Sequence, residues 1–219
     1  LETKTKKFKR DILNWYNNNK RDYSWRETND PWKILLLETI SQQTQLDRAD
    51  TYFKLFIEEF PNPATMASSS LKKVLILWSG LGYNNRARRL YESSKILSEK
   101  GFDELYPNFE VLPGVGPYTN NAILSFAYGE KVITRDVNVD RVFSRYFGLN
   151  NVENFVHNNK QPLLNRVSSR DLNQAIMDFG SMVCKSKNPL CSTCVLEKNC
   201  EKNIVKIKKS KETFSGSNR

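Results

Sequence analysis

No apolar run in this chain approaches the ~20 residues a membrane helix needs, and the lysine-rich start from Lys4 to Arg10 leads into no signal-peptide core. Neither a membrane span nor a secretory leader is expected. Alternating strand patterns are also nearly missing: Lys131 to Thr134 is the only candidate, too short to found a sheet. There is no repeat of fixed period and no long low-complexity linker. The tail Lys206 to Arg219 is charged, Ser-rich and poor in apolar residues, and is expected to be a basic disordered end. Histidine occurs once, as His157 in a polar stretch, and is expected at the surface without a role. The chain opens on Leu1 and not on Met, which suggests a trimmed start.

What is present is positive charge and helical periodicity. Lys and Arg number 34 against 24 Asp and Glu, a net charge of +10 that suits a polyanionic partner, although solvated lysines also serve solubility. Apolar residues recur at helical spacing from Phe8 to Tyr16, and Asp30-Pro31 reads as a cap followed by a first-turn proline. From there Trp32 to Gln45 reads as a largely buried helix. Ser70 caps Leu71 to Trp78, which stops at Gly80 and Gly82, and Arg86 to Lys100 forms an amphipathic helix ending at Gly101. The fold class is all-α. Two helical lobes are expected, one from about residue 25 to 130, the other combining residues 1–24 with 131–205.

Two motifs carry chemistry. Leu112-Pro113-Gly114-Val115-Gly116-Pro117-Tyr118-Thr119 precedes the apolar helical run Ala122 to Tyr128. Its glycines permit a tight turn, and Pro117 in the next helix's first turn leaves amides to point at a phosphate. The arrangement is a helix-hairpin-helix turn, although a Gly-x-Gly turn alone need bind nothing. The second motif gathers all four cysteines, Cys184, Cys191, Cys194 and Cys200, near the C-terminal end. That grouping argues for one metal site in a reducing compartment and against a disulfide framework. Only Cys191 and Cys194 have zinc-knuckle spacing, so Cys-x6-Cys-x2-Cys-x5-Cys favours a four-thiolate iron–sulfur site over zinc, with four buried free thiols as the plain alternative.

Together with Gln174-Ala175-Ile176-Met177-Asp178-Phe179-Gly180 before the cysteines, these motifs resemble the helix-hairpin-helix glycosylase superfamily that includes endonuclease III and the MutY-type adenine glycosylases, over roughly residues 8 to 203. Trp25-Arg26, Glu38 before Ser41 to Gln45, Gly80-Leu81-Gly82-Tyr83 with Arg86, and Asp136-Val137-Asn138-Val139 look most like the adenine-removing branch. The resemblance implies a helix-hairpin-helix fold, a [4Fe-4S] cluster on the four cysteines, and a partner that is double-stranded DNA containing a mismatch or lesion. A monomer acting inside the cell, in the cytoplasm or on the nucleoid, is expected.

Cleaving a purine's glycosidic bond needs a proton for the leaving base and negative charge near an oxocarbenium-like sugar. Glu38 follows Ile34 to Leu37, an apolar run that would desolvate its carboxyl and favour the acid form. By resemblance Asp136 stabilises or captures the sugar cation and Asn138 orients it or the attacking water; from local sequence alone Asp136 is equally a helix cap. Tyr118 stands where the strand-cutting branch has a Schiff-base lysine, so a monofunctional enzyme is expected. Gln43 and Tyr83 match wedge positions that fill the gap left by an extruded base. Trp25, Arg26, Gln174 and Leu46 are assigned to the base pocket. Gly114, Val115, Gly116, Thr119 and Arg86 are assigned to DNA, with Arg88 and Arg89 beside Arg86. DNA is expected to bind across a cleft with Glu38 facing Asp136, and the cluster to carry Lys185 and Lys187 toward it.

The resemblance departs at two points. Nineteen residues follow Cys200, too few for the second C-terminal domain of adenine glycosylases, so the chain is a fragment or reads the opposite base differently. Val137 stands where the adenine branch usually has glycine. Removal of thymine or uracil from mismatches with guanine remains an alternative, as does a non-catalytic helix-hairpin-helix protein that only binds DNA.

Overall fold

The computed structural model describes residues 2–202; the tail expectation for Lys206 to Arg219 lies outside them. Among the described residues the chain is helical without a strand, and no helix is long and apolar enough to cross a membrane. It divides into two compact units, one formed by the segment up to Arg21 with the chain from Lys131 onward, the other by Asp22–Glu130.

The Asp22–Glu130 unit holds α2 (Pro31–Ser41), α3 (Leu46–Glu59), α4 (Pro63–Ala67), α5 (Leu71–Leu77), α6 (Asn85–Leu105) and α7 (Pro117–Phe126). Asp30 caps α2 by accepting from the Trp32 and Lys33 amides, and Ser70 caps α5 through the Lys73 amide. Helix α2 is the centre of this unit: Trp32, Ile34, Leu35, Leu36 and Ile40 are buried, and the Trp32 indole donates to the Phe60 carbonyl at 2.9 Å. Phe56 meets Trp78 edge-on at 5.6 Å, fastening α3 to the end of α5. Within α6, Gly101 takes φ 74° and ψ 173°, breaking the helical geometry where the sequence places the stop, before one further turn.

Helix α2 ends at Ser41, short of the expected Gln45. Gln42 leaves helical geometry with ψ 117°, Gln43 turns left-handed, and the guanidinium of Arg86 occupies the carbonyls of Thr39, Ile40 and Gln42. A side chain 44 residues away along the chain thus terminates the helix.

The other unit holds α1 (Glu2–Asn19), α8 (Val137–Phe147), α9 (Val152–Asn158), α10 (Lys160–Leu164) and α11 (Ser169–Met182). Helix α11 packs against both α1 and α8. Phe8, Ile12 and Tyr16 from α1 meet Val142, Phe143 and Tyr146 from α8 and Leu172, Ile176 and Phe179 from α11 in one apolar core. Burying one such side chain contributes about 1.5–3 kcal/mol. The strand candidate Lys131 to Thr134 is a loop here. Its polar backbone is satisfied by α11, not by a neighbouring strand: Asn173 accepts from the Thr134 amide at 3.0 Å and donates to the Val132 carbonyl at 2.9 Å, and Ser169 donates to the same carbonyl at 2.7 Å. His157 is exposed on α9, as expected.

Candidate active site

In the Asp22–Glu130 unit, Glu38 lies on α2 and is only 7% exposed. Trp25 is also buried, stacked on Tyr23 at 4.5 Å and edge-on to Phe53 at 5.9 Å, so its ring offers little surface to a ligand. The Arg26 guanidinium sits 5.9 Å from the Tyr23 ring, and half-buried Leu46 opens α3. Gln43 and Tyr83 are exposed, and both adopt positive φ, at 55° and 49°. Arg86 does not reach outward as a phosphate ligand would. Its Nη1 donates to the carbonyls of Thr39, Ile40 and Gln42 and its Nη2 to those of Leu81 and Gly82. Burial holds this guanidinium below its ordinary pKa. Arg88 and Arg89 remain exposed.

The hairpin is fixed from below. The Ser93 hydroxyl donates to the Pro113 carbonyl at 2.9 Å, Asn120 accepts from the Phe109 amide at 2.8 Å, and Leu112, Val115 and Thr119 are buried. Gly114 has φ 85°, which favours glycine, and a Cβ there would crowd the Arg89 side chain at 3.2 Å. Gly116 is the N-cap of α7 with no side-chain cap, and Pro117 follows; such a helix start presents its first amides to an anion. Tyr118 is half-buried in that first turn.

In the other unit, Asp136 caps α8. Its Oδ1 accepts from the amides of Asn138 at 2.9 Å and Val139 at 2.7 Å, while its Oδ2 accepts from Asn138 Nδ2 at 2.8 Å. The pair Asp136 and Asn138 is therefore one rigid group. Val137 between them is 76% exposed. Gln174 is buried on α11, where its Oε1 accepts from the Tyr16 hydroxyl at 2.7 Å.

The four cysteines border one largely apolar cavity of about 210 Å³, together with Arg145 and Leu190. Burial pushes the Cys194 thiol up to about 11, with the neighbouring cysteines adding to the shift, and raises Cys200 as well. Arg145 Nη1 donates to Cys184 Sγ at 3.4 Å, and Cys200 Sγ donates to the Arg145 carbonyl at 3.3 Å. Thiols that disfavour ionisation while sharing a cavity fit a positively charged metal group, which offsets the repulsion among thiolates. Among the described residues no group of histidine, cysteine or acidic side chains is arranged to hold a single ion.

Sequence reasoning missed the residues that hold this half together. Arg141 donates through Nη2 to Asn138 Oδ1 at 2.6 Å and the Gly180 carbonyl at 2.7 Å, and through Nε to the Cys184 carbonyl at 2.8 Å. One guanidinium thus joins the Asp136–Asn138 pair to the first cysteine. Gly180 lets α11 approach: a Cβ there would lie 2.7 Å from Asn138 Cβ and 3.2 Å from its backbone. The i,i+3 spacing of Asn138 and Arg141 on one helix face was the available signal for the first contact; Gly180 inside an otherwise helical pattern was the signal for the second.

Residues 37–161 match the family model of the HhH-GPD superfamily of base excision DNA repair proteins. The chain belongs to this superfamily. It is similar to the adenine DNA glycosylase of Buchnera aphidicola subsp. Baizongia pistaciae, 36% identical over 203 residues that make up 89% of this chain and 58% of the relative. With the human adenine DNA glycosylase it shares 34% identity over 211 residues, 88% of this chain and 39% of the relative. The chain thus spans about three fifths or less of these curated relatives. Among solved structures, a thermostable thymine-DNA glycosylase superposes with a TM-score of 0.82 at 28% identity, covering 91% of this chain and 96% of that one. An endonuclease III trapped on DNA superposes at 0.75 with 20% identity over 94% and 99%, a likeness of fold.

Proposed function

We propose that the chain carries the catalytic part of a monofunctional DNA glycosylase of base excision repair, which extrudes an adenine mispaired with guanine or 8-oxoguanine from double-stranded DNA and hydrolyses its N-glycosidic bond. The observation that carries this reading is the Asp136–Asn138 group: a carboxylate locked by two backbone amides, with its second oxygen aligned by an amide side chain. Held groups of this kind stabilise charge that develops in a transition state because they need no reorganisation.

In the proposed reaction the bond between C1′ and the purine nitrogen breaks with its electron pair going to the base. Glu38, on the buried α2, delivers a proton to the departing purine, and the Asp136 carboxylate balances positive charge on the sugar. A water oxygen then bonds to C1′, passes its proton to the Glu38 carboxylate left by the first step, and leaves an abasic site. Tyr118 has no amine and forms no Schiff base, so the strand stays intact. Gln174, Trp25, Arg26 and Leu46 belong to the base pocket, Trp25 from behind Tyr23 and Gln174 as oriented by Tyr16. The α7 amides after Gly114-Val115-Gly116, among them that of Thr119, take a phosphate, and Gln43 and Tyr83 fill the vacated stack.

Cys184, Cys191, Cys194 and Cys200 would hold a [4Fe-4S] cluster. When bound, it supplies a cross-link among four thiolates, which anchors the segment carrying exposed Lys185 and Lys187. Iron and acid-labile sulfide content of the purified protein test this directly.

A second reading, removal of thymine or uracil opposite guanine, draws on the likeness to the thymine-DNA glycosylase and on exposed Val137 beside Asp136. The deciding experiment measures base release from duplexes carrying adenine opposite 8-oxoguanine, adenine opposite guanine, thymine opposite guanine and uracil opposite guanine, with and without alkali. Adenine release with breaks only after alkali is expected. Pyrimidine release moves the assignment to the second reading, strand cutting without alkali removes the argument from Tyr118, and absence of any release leaves a DNA-binding module.

A further inference from the structure

Four non-glycine residues among those described have positive φ, and two of them, Gln43 and Tyr83, are the exposed wedge candidates. Left-handed backbone is disfavoured for side chains of this kind, and it persists where surrounding bonds hold it. The bonds here converge on one side chain. Arg86 Nη1 donates at 2.5 Å to the Gln42 carbonyl, the peptide immediately before Gln43, and Arg86 Nη2 donates at 3.2 Å to the Gly82 carbonyl, the peptide immediately before Tyr83. The backbone amide of Arg86 takes the Tyr83 carbonyl at 2.9 Å, so Arg86 grips the peptides on both sides of that residue.

The guanidinium has further partners inside the protein. It also reaches the carbonyls of Thr39, Ile40 and Leu81, and it lies 5.0 Å from the Trp78 ring, whose indole donates to the same Gly82 carbonyl at 2.9 Å. Its Nε is buried and has no hydrogen-bond partner. Nη donors already committed to five protein carbonyls are not free to take a phosphate oxygen.

We propose that Arg86 is a positioning residue, a brace that presets the Gln43 and Tyr83 turns before DNA arrives, and not a phosphate ligand. The proposal builds on the glycosylase reading, which supplies the need for two prongs held in place: a wedge that must first order itself loses part of its binding free energy to that ordering. The planar fork of arginine is needed, because a lysine ammonium is a compact point charge that cannot span carbonyls from two separate loops.

The test compares wild type with Arg86→Lys, which keeps the charge, and Arg86→Met, which removes it, after far-UV circular dichroism establishes that each is folded. Hydrogen exchange of the free protein reads the brace itself: the amides of residues 44 and 86, bonded in the wild type to the Ser41 and Tyr83 carbonyls, are expected to exchange roughly tenfold or more faster in both variants. Duplexes with 2-aminopurine in place of the target adenine read extrusion, which is expected to fall by about tenfold or more in both variants. The salt dependence of duplex binding is expected to stay as in wild type. A phosphate ligand behaves otherwise: Arg86→Met lowers the log–log salt slope by about 0.9, Arg86→Lys restores extrusion, and exchange at both turns is unchanged; any of these results overturns the proposal. If wild type extrudes no base from any duplex, the glycosylase reading fails, and the exchange comparison still decides the brace.

Discussion

Replacing Gly180 by Ala tests how closely the α8 cap depends on α11. The added Cβ would sit 2.7 Å from Asn138 Cβ and 3.2 Å from its Cα and carbonyl oxygen, all atoms that no rotamer change can move. Ordinary carbon contacts are about 3.5–4.0 Å, so the start of α8 must retreat by roughly 1 Å. Overpacking of this kind costs about 1–3 kcal/mol, and the intrinsic preference of helices for Ala returns about 0.5–1 kcal/mol. The net loss is of order 1 kcal/mol, a fall in Tm of about 2–4 °C for a protein of this size. The effect on rate is expected to be far larger, because Asn138 holds Asp136 Oδ2 at 2.8 Å, and a misplacement of about 1 Å can cost about 10²-fold. Single-turnover base release at saturating protein, beside a calorimetric melt, separates the two effects. A variant that melts at or above wild type and releases base at nearly its rate would refute the reasoning.

Asp136→Asn keeps oxygen acceptors for the α8 amides and removes the charge; release is expected to fall by about 10³-fold, roughly 4 kcal/mol, with duplex binding unchanged in a gel-shift titration. Arg141→Met strands the Gly180 carbonyl, leaves the Cys184 carbonyl to Arg145 alone and frees Asn138; a stability loss of about 1–3 kcal/mol by urea titration should accompany a slower single-turnover rate. Tyr146 is buried with a hydroxyl that has no partner, and burial pushes its pKa up to about 12. The folded state therefore keeps this proton where the unfolded chain, titrating near 10, releases it, so stability is full below pH 10 and declines as pH rises toward 12. Tyr146→Phe should flatten that alkaline decline in denaturant titrations run at successive pH values, with neutral stability changed by no more than about 1 kcal/mol.

What the sequence disclosed was mostly local. Asp30-Pro31, Ser70 and Gly101 each declare an element boundary through chemistry within a few residues, and each acts where expected. The grouping of four cysteines is local too, and they share a cavity. The misreadings involve partners distant in sequence. Nothing near Gln42 announces that Arg86 will take the carbonyls ending α2. The apolar stretch at Ile133 looks like a strand because its backbone partners, Asn173 and Ser169, come from a helix some 40 residues on. Arg141 was passed over because two of its partners, Gly180 and Cys184, meet it only in the fold.

The two readings of Asp136 open at the level of sequence, helix cap and reactive carboxylate, describe a single arrangement. As a cap, Asp136 receives two amides on Oδ1, and that engagement turns Oδ2 toward the one further donor, the Asn138 side chain. A cap needs only an oxygen acceptor, so serine, threonine and asparagine would serve it about as well. Stabilising a sugar cation needs a negative charge in addition, which of the good capping residues aspartate alone supplies. The structural role therefore restricts the position to a few residue types, and the proposed chemistry would select among them. Substitution by alanine would remove cap and charge together and leave their effects mixed. Substitution by asparagine retains the acceptor and discards the charge, so a loss of base release in that variant, with α8 intact, belongs to the chemistry and not to the helix.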